Sequence, residues 1–182
     1  PATRRLLVDE GDAGAALRAA GGQALRQTYL WPYQMHASIG PSCAVAAWQP
    51  EAEGSCQLRV WAGTQNPHVL RHDLAKLTDL QDVQVDVVRM EAAGCYGRNG
   101  ADDVAADAAL LARAVAHLGA PVRVQLTRAQ EHAWDPKGAA QLMDVAGALG
   151  PDGRIDAYDF QTSYPSNGAP TLALLLTRTI EP

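Results

Sequence analysis

Between residues 83 and 126 the spacing of apolar residues changes period twice. Val83, Val85 and Val87 alternate with Gln84 and Asp86, the period of two expected of a half-buried strand. Val104, Ala108, Leu111, Val115 and Leu118 follow at steps of three and four, which predicts a helix over 101–118 with these five on its buried face. Gly119-Ala120-Pro121 stops that helix, and residues 122–126 alternate again. Upstream, Pro67 opens a second helical pattern carrying Val69, Leu70, Leu74 and Leu77, with proline where its missing N–H costs least, and this helix should end near Thr78. Strand, helix, strand, helix, strand in that order implies crossover connections onto a partly parallel sheet. The expected fold class is therefore α+β, a mixed sheet with helices packed on it.

Around this centre, β-branched and aromatic content predicts strands over 24–33, 43–48 and 57–62, the last two a hairpin across the polar turn 50–55. A short helix is expected from Thr127 to Ala133. Two further strands, 141–148 and 154–162, are joined by the turn Gly150-Pro151-Asp152-Gly153. Residues 1–23 read as an exposed connector ending in Gly21-Gly22, residues 24–162 as one folded body, and residues 163–182 as a tail without assignment. The start at Pro1, with neither initiator Met nor a signal core, reads as a cut into a longer chain. Because the 47% hydrophobic content leans on alanine, with Phe occurring once, the packing should be fine-grained.

Several classes of function are excluded. A formal charge of -5 without a Lys/Arg stripe argues against nucleic acid as a partner. No apolar stretch reaches the roughly 20 residues needed to span a bilayer, so no membrane insertion is expected. Cys43, Cys56 and Cys95 match no C-x2-C spacing, which predicts reduced thiols and no structural zinc. His68, His72, His117 and His132 form no metal spacing with an acid, His36 reads as a hydrogen-bonded structural residue, and Asp102, Asp103 and Asp107 as solvated.

Two segments stand where ligands are held in such sheets. Gly94-Cys95-Tyr96-Gly97-Arg98-Asn99-Gly100 lies between a predicted strand and the helix at 101, where glycines free main-chain amides to approach a ligand. It has neither dinucleotide nor P-loop spacing. The same glycines could equally serve only to turn a strand into a helix, and Asp102 and Asp103 already compensate the helix's positive end. Gly63-Thr64-Gln65-Asn66-Pro67 ends one strand and opens a helix. Gln65 there offers an amide donor and acceptor, and the alternative is a capping turn in which Thr64 or Asn66 satisfies the first amides.

Taken in order, Tyr29-Leu30-Trp31-Pro32-Tyr33-Gln34-Met35-His36-Ala37, Trp61-Ala62-Gly63-Thr64-Gln65-Asn66-Pro67, Ala93-Gly94-Cys95-Tyr96-Gly97-Arg98 and Pro121-Val122-Arg123-Val124-Gln125-Leu126-Thr127-Arg128 resemble the first molybdopterin-binding domain of the xanthine dehydrogenase and aldehyde oxidase family. The resemblance spans roughly residues 24–162 and is nearest the isoquinoline 1-oxidoreductase and nicotinate dehydrogenase branch. It implies that Gln65 hydrogen-bonds an oxygen ligand of molybdenum. It also implies that Tyr96 and Gly97, flanked by Gly94, Cys95 and Arg98, lie beside the same ligands, with no direct protein ligand to the metal. Two departures stand out. The family loop usually reads Gly-Gly-Phe-Gly, where this chain has Cys95 and Tyr96 at the middle positions, and Gly40 stands where the family often has Glu.

The family's reaction hydroxylates a carbon beside nitrogen, or an aldehyde carbon, with oxygen from water. Its general-base glutamate belongs to a second cofactor domain that nothing in residues 163–182 matches, so no catalytic residue is expected in this chain and none of the activity in isolation. The resemblance further implies the cytosine dinucleotide form of the molybdopterin cofactor, the remainder of a large subunit, a small subunit carrying iron-sulfur clusters, and a small-molecule substrate. Cytoplasm and periplasm both stay open. The alternative is a binding or assembly module of the same fold without metal.

Overall fold

The computed structural model describes residues 4–49, 56–97 and 101–165. These fall into two compact units, one made of the segments before Gln34 and after Gly138, the other of Gln34–Gly138. The polypeptide leaves the first unit after Tyr33 and re-enters it at Ala139.

The larger unit contains, in chain order, β2 (Gln34–Met35), β3 (Cys43–Trp48), β4 (Leu58–Ala62), α2 (Pro67–Thr78), β5 (Val85–Arg89), α3 (Ala101–Ala114), β6 (Val122–Gln125), α4 (Arg128–Trp134) and β7 (Lys137–Gly138). Its main sheet has the order β5-β4-β3-β6. β3 and β4 form the expected antiparallel hairpin, from Ala44↔Ala62 to Trp48↔Leu58. β4 and β5 run parallel, joined by α2, and β6 returns antiparallel to β3. The mixed sheet with helices packed on it agrees with the fold class read from the sequence.

The core explains the alanine content. Val104, Ala105, Ala108, Ala109 and Ala112 of α3 are buried with Ala44 and Ala46 of β3 and with Leu58, Val60 and Ala62 of β4, and Leu70, Leu74 and Ala75 of α2 join the same cluster. Small side chains on facing elements let the helix lie close to the strands. The predicted face is corrected by this packing, since Leu111 is 49% and Leu118 65% exposed. The helix itself ends at Ala114, followed by a 3-10 turn over Ala116–Leu118. Val83 is likewise exposed, because Asp82–Gln84 forms a 3-10 turn and the strand starts only at Val85. Asp107 is exposed as expected, whereas Asp102 and Asp103 are half-buried.

The smaller unit holds α1 (Ala13–Ala20), β1 (Leu25–Trp31), β8 (Gln141–Leu149) and β9 (Ile155–Ser163). The three strands form an antiparallel sheet in the order β1-β8-β9. The β8–β9 hairpin closes through Gly150 N–H to Arg154 O (2.8 Å) and Gly153 N–H to Gly150 O (2.9 Å), at the turn read from the sequence. The stretch expected to be an exposed connector carries α1. Asp12 caps it by accepting from Ala15 N–H at 2.7 Å, and Leu17 is buried among Ala146, Ala148 and Ala157. An Ala-rich octamer with one leucine presents too little apolar periodicity to announce a docked helix. No described helix is long and apolar enough to cross a membrane.

Candidate functional site

Because β4 and β5 are parallel, the segments after them emerge on the same side of the sheet, where open α/β sheets place their ligands. The start of the antiparallel β3 lies there too. Residues 40–45, 61–63 and 90–94 line a cleft of about 270 Å3. In its walls glycine main chain packs against alanine methyl groups. A Cβ on Gly63 would stand 2.5 Å from the Ala92 Cβ, and one on Gly40 would stand 3.0 Å from the Ala93 Cβ. Met90 N–H donates to Ala62 O (3.0 Å) and Ile39 N–H to Ala93 O (3.2 Å), which ties the three segments together.

Gln65 is exposed, two residues beyond the cleft wall at Gly63. Around it the turn is fixed. Thr64 is buried, its Oγ1 accepts from Asn66 N–H at 3.1 Å, and its carbonyl accepts from Arg89 Nε at 3.3 Å. Asn66 caps α2 by accepting from Val69 N–H at 3.3 Å, with Pro67 in the first turn. The capping role read from the sequence therefore belongs to Asn66, and the Gln65 side chain takes no part in the cap.

The loop after β5 is held in an unusual main-chain conformation. Gly94 (φ 88), Tyr96 (φ 47) and Gly97 (φ 136) all have positive φ. For Tyr96 the left-handed region costs on the order of 1–2 kcal/mol, so its surroundings must impose it. Its ring folds back over Gly94, where an added Cβ would stand 2.7 Å from Tyr96 Cζ. A Cβ on Gly97 would stand 2.3 Å from His36 Cδ2, so the histidine ring lies directly on that glycine. Cys95 is half-buried and its thiol is free. Arg98 lies outside the described residues. The structure thus brings Gly94 to Gly97 together with His36, and the cleft wall reaches Gly94, while Gln65 stands apart at the end of β4.

A second layer lies behind the loop. Glu131 of α4 is fully buried and accepts from both Ser42 N–H and Ser42 Oγ at 2.9 Å. Arg128 donates to Ser38 O at 2.8 Å and also to Ile39 O. Asp135, which follows α4, is 4% exposed. Burial pushes its carboxyl above the usual carboxylate range and the nearby Glu131 adds to the rise, while the Lys137 ammonium, the His36 ring and the His36 main-chain amide offset part of it. The His36 Nδ1 is buried without a hydrogen-bond partner among the described residues, as are both Asp135 carboxyl oxygens, so the hydrogen bond expected at this ring nitrogen is not formed. Glu131 and Asp135 were missed by sequence reasoning. The signal was Arg128-x-x-Glu131-x-x-x-Asp135, three polar residues at one-face helical spacing.

No group of three or more His, Cys, Asp or Glu suited to hold a metal ion occurs among the described residues. Among the described residues the cleft's lining offers Ser42, Trp61 and Glu91, with the weaker Cys43 thiol, as hydrogen-bonding side chains and no Lys or Arg. Gly40, Gly63 and Gly94 add main chain to that lining.

The comparisons with known proteins give the family and the fold. Residues 2–176 match the sequence model of the molybdopterin cofactor-binding domain. The chain is 60% identical over all of its 182 residues to a nicotinate dehydrogenase subunit of Pseudomonas putida, of which it spans 15%. It is 29% identical over 124 residues, 68% of its length, to a probable xanthine dehydrogenase subunit of Bacillus subtilis, of which it spans 16%. Its fold matches quinoline 2-oxidoreductase from Pseudomonas putida 86 with a TM-score of 0.69 at 22% identity, over 81% of this chain and 18% of that one. A family match over nearly the whole length, joined to glycine-lined main chain at the ends of parallel strands, shows that the chain belongs to the molybdopterin cofactor-binding domain family.

Proposed function

We propose that Gln65 and the Gly94–Arg98 loop form one side of a molybdopterin site that the rest of a larger subunit completes, and that the assembled enzyme hydroxylates a ring carbon beside nitrogen in an N-heterocycle of the nicotinate class. The observation that carries this reading is the glycine-lined cradle beyond β4 and β5, in a chain 60% identical throughout to a nicotinate dehydrogenase subunit. A cleft of about 270 Å3 is just below the roughly 300–1,000 Å3 of complete small-molecule sites. It suits one edge of a cofactor whose other edge is held elsewhere.

The residues present fit one edge of the group, because Gly40, Gly63 and Gly94 line the cleft with main chain rather than with side chains. Gln65 is free of the α2 cap and can donate its amide at the metal end, and Cys95 and Tyr96 flank the approach. When bound, the cofactor supplies the molybdenum centre that accepts two electrons from the substrate. This chain's residues bind and orient it. The base that moves the proton, the iron-sulfur small subunit that takes the electrons and the contacts that would read a cytosine dinucleotide are assigned to other parts of the assembly.

The test measures molybdenum, and nucleotide released by acid, in this chain with and without the remainder of its subunit, from a host that makes the cofactor. Metal and cytidine nucleotide only in the complete assembly are expected, and metal absent from both would favour a metal-free binding module. In the assembly, Gln65→Ala is expected to lower turnover by about 10- to 100-fold with molybdenum retained. Unchanged turnover would remove Gln65 from the site.

A further inference from the structure

We infer that Arg128 and Glu131 are positioning residues for the cofactor loop, acting through the irregular segment 36–42. The inference rests on the assignment of Gly94–Arg98 to the molybdopterin site. Residues 36–42 have no regular secondary structure, and Ala37 within them is left-handed at φ 56, a conformation the segment cannot impose on itself. Its polar main chain is gripped from one helix face. Arg128 holds the carbonyls of Ser38 and Ile39, and Glu131 holds Ser42 through both amide and hydroxyl.

The other side of the same segment supports the loop. Ile39 N–H donates to Ala93 O, Gly40 packs on Ala93, and the His36 ring lies against Gly97. The pairing of β2 with β7, Gln34↔Gly138 and Met35↔Lys137, fixes where residue 36 begins. Each contact runs from α4 to residues 36–42 and from those to residues 93–97. A carboxylate as deeply buried as Glu131 is costly to keep, and apolar side chains of similar volume often serve stability as well. Its two bonds to Ser42 instead fix a direction, which is what a loop with positive φ at Gly94, Tyr96 and Gly97 requires.

The experiment uses the complete enzyme containing this chain, with molybdenum content and the Mo(V) electron paramagnetic resonance spectrum as readouts. Glu131→Ala is expected to lower bound molybdenum about tenfold and to alter the spectrum of what remains. Glu131→Gln is expected to restore both, because its amide oxygen can accept from Ser42 N–H while its NH2 donates to the Ser42 hydroxyl, a rescue that depends on geometry and not on charge. Arg128→Gln, at a half-buried position that folding tolerates, is expected to alter the spectrum by releasing two carbonyls, and it decides the matter if Glu131→Ala does not accumulate. Gly97→Ala serves as the direct perturbation of the loop. Wild-type metal content and spectrum in Glu131→Ala and Arg128→Gln, with both changed in Gly97→Ala, would overturn the positioning role alone. Wild-type behaviour in Gly97→Ala as well would overturn the loop assignment and this inference with it.

Discussion

Asp135 shows how a residue unremarkable in sequence acquires a role from its surroundings. Its carboxyl titrates above the ordinary range chiefly because it is buried. A folded-state pKa raised above the unfolded value means that the folded protein holds the proton more tightly. The stability linked to this group is therefore fully present below the ordinary aspartate pKa and is lost as pH rises through the raised value. Asp135→Asn removes the charge from a buried position where neither carboxyl oxygen has a hydrogen-bond partner among the described residues. Its melting temperature should exceed that of the wild type at about pH 7, and the gain should vanish toward about pH 3.5, below the ordinary carboxyl pKa near 3.9. Thermal scans across that window check this, and a loss at neutral pH would show instead that Asp135 is a stabilising paired charge. The sequence carried part of the candidate site at this scale. Its glycines and the Thr-Gln turn were legible because glycine marks main-chain geometry directly, whereas an acid on a short helix reads as solvated until the fold buries it.

At the scale of elements, the boundaries of α2, β3 and the β8–β9 hairpin were legible, because proline, turn residues and strict alternation each act locally. The orientation of α3 was not. Steps of three and four from Val104 put Leu111 and Leu118 inward, yet the buried face is Val104, Ala105, Ala108, Ala109 and Ala112 against Ala44 and Ala46. Close approach to a strand of small residues leaves no volume for leucine at these positions. Ala109→Leu should therefore destabilise the protein by about 1–3 kcal/mol or more through overpacking. Leu111→Ala on the exposed side should stay within about 0.5 kcal/mol of wild type. Urea melts of the two variants separate the faces, and the reverse order would return Leu111 to the core.

At the scale of the whole molecule, the division into two units could not be read from the sequence, because β1 and its partner β8 lie more than a hundred residues apart and no local signal pairs them. Closing a loop of that length costs on the order of 4 kcal/mol in chain entropy. The larger unit offsets much of this before the smaller one forms, since β2 pairing with β7 sets Gln34 beside Gly138 and brings the two ends of the intervening chain together. The cores differ in the same sense. Among the described residues, Leu17, Ala146, Ala148 and Ala157 make the buried cluster of the smaller unit, while that of the larger joins α2, α3 and the sheet strands β3, β4 and β5. Local stability follows buried apolar contact, so the smaller unit should open first. Native-state hydrogen exchange is expected to show the amides of β1, β8 and β9 exchanging through a sub-global opening of lower free energy than that of β3, β4 and α3. If β3 and β4 exchanged as readily as β8, the units would unfold together, and the larger one could not stay closed while β1 and β8 part.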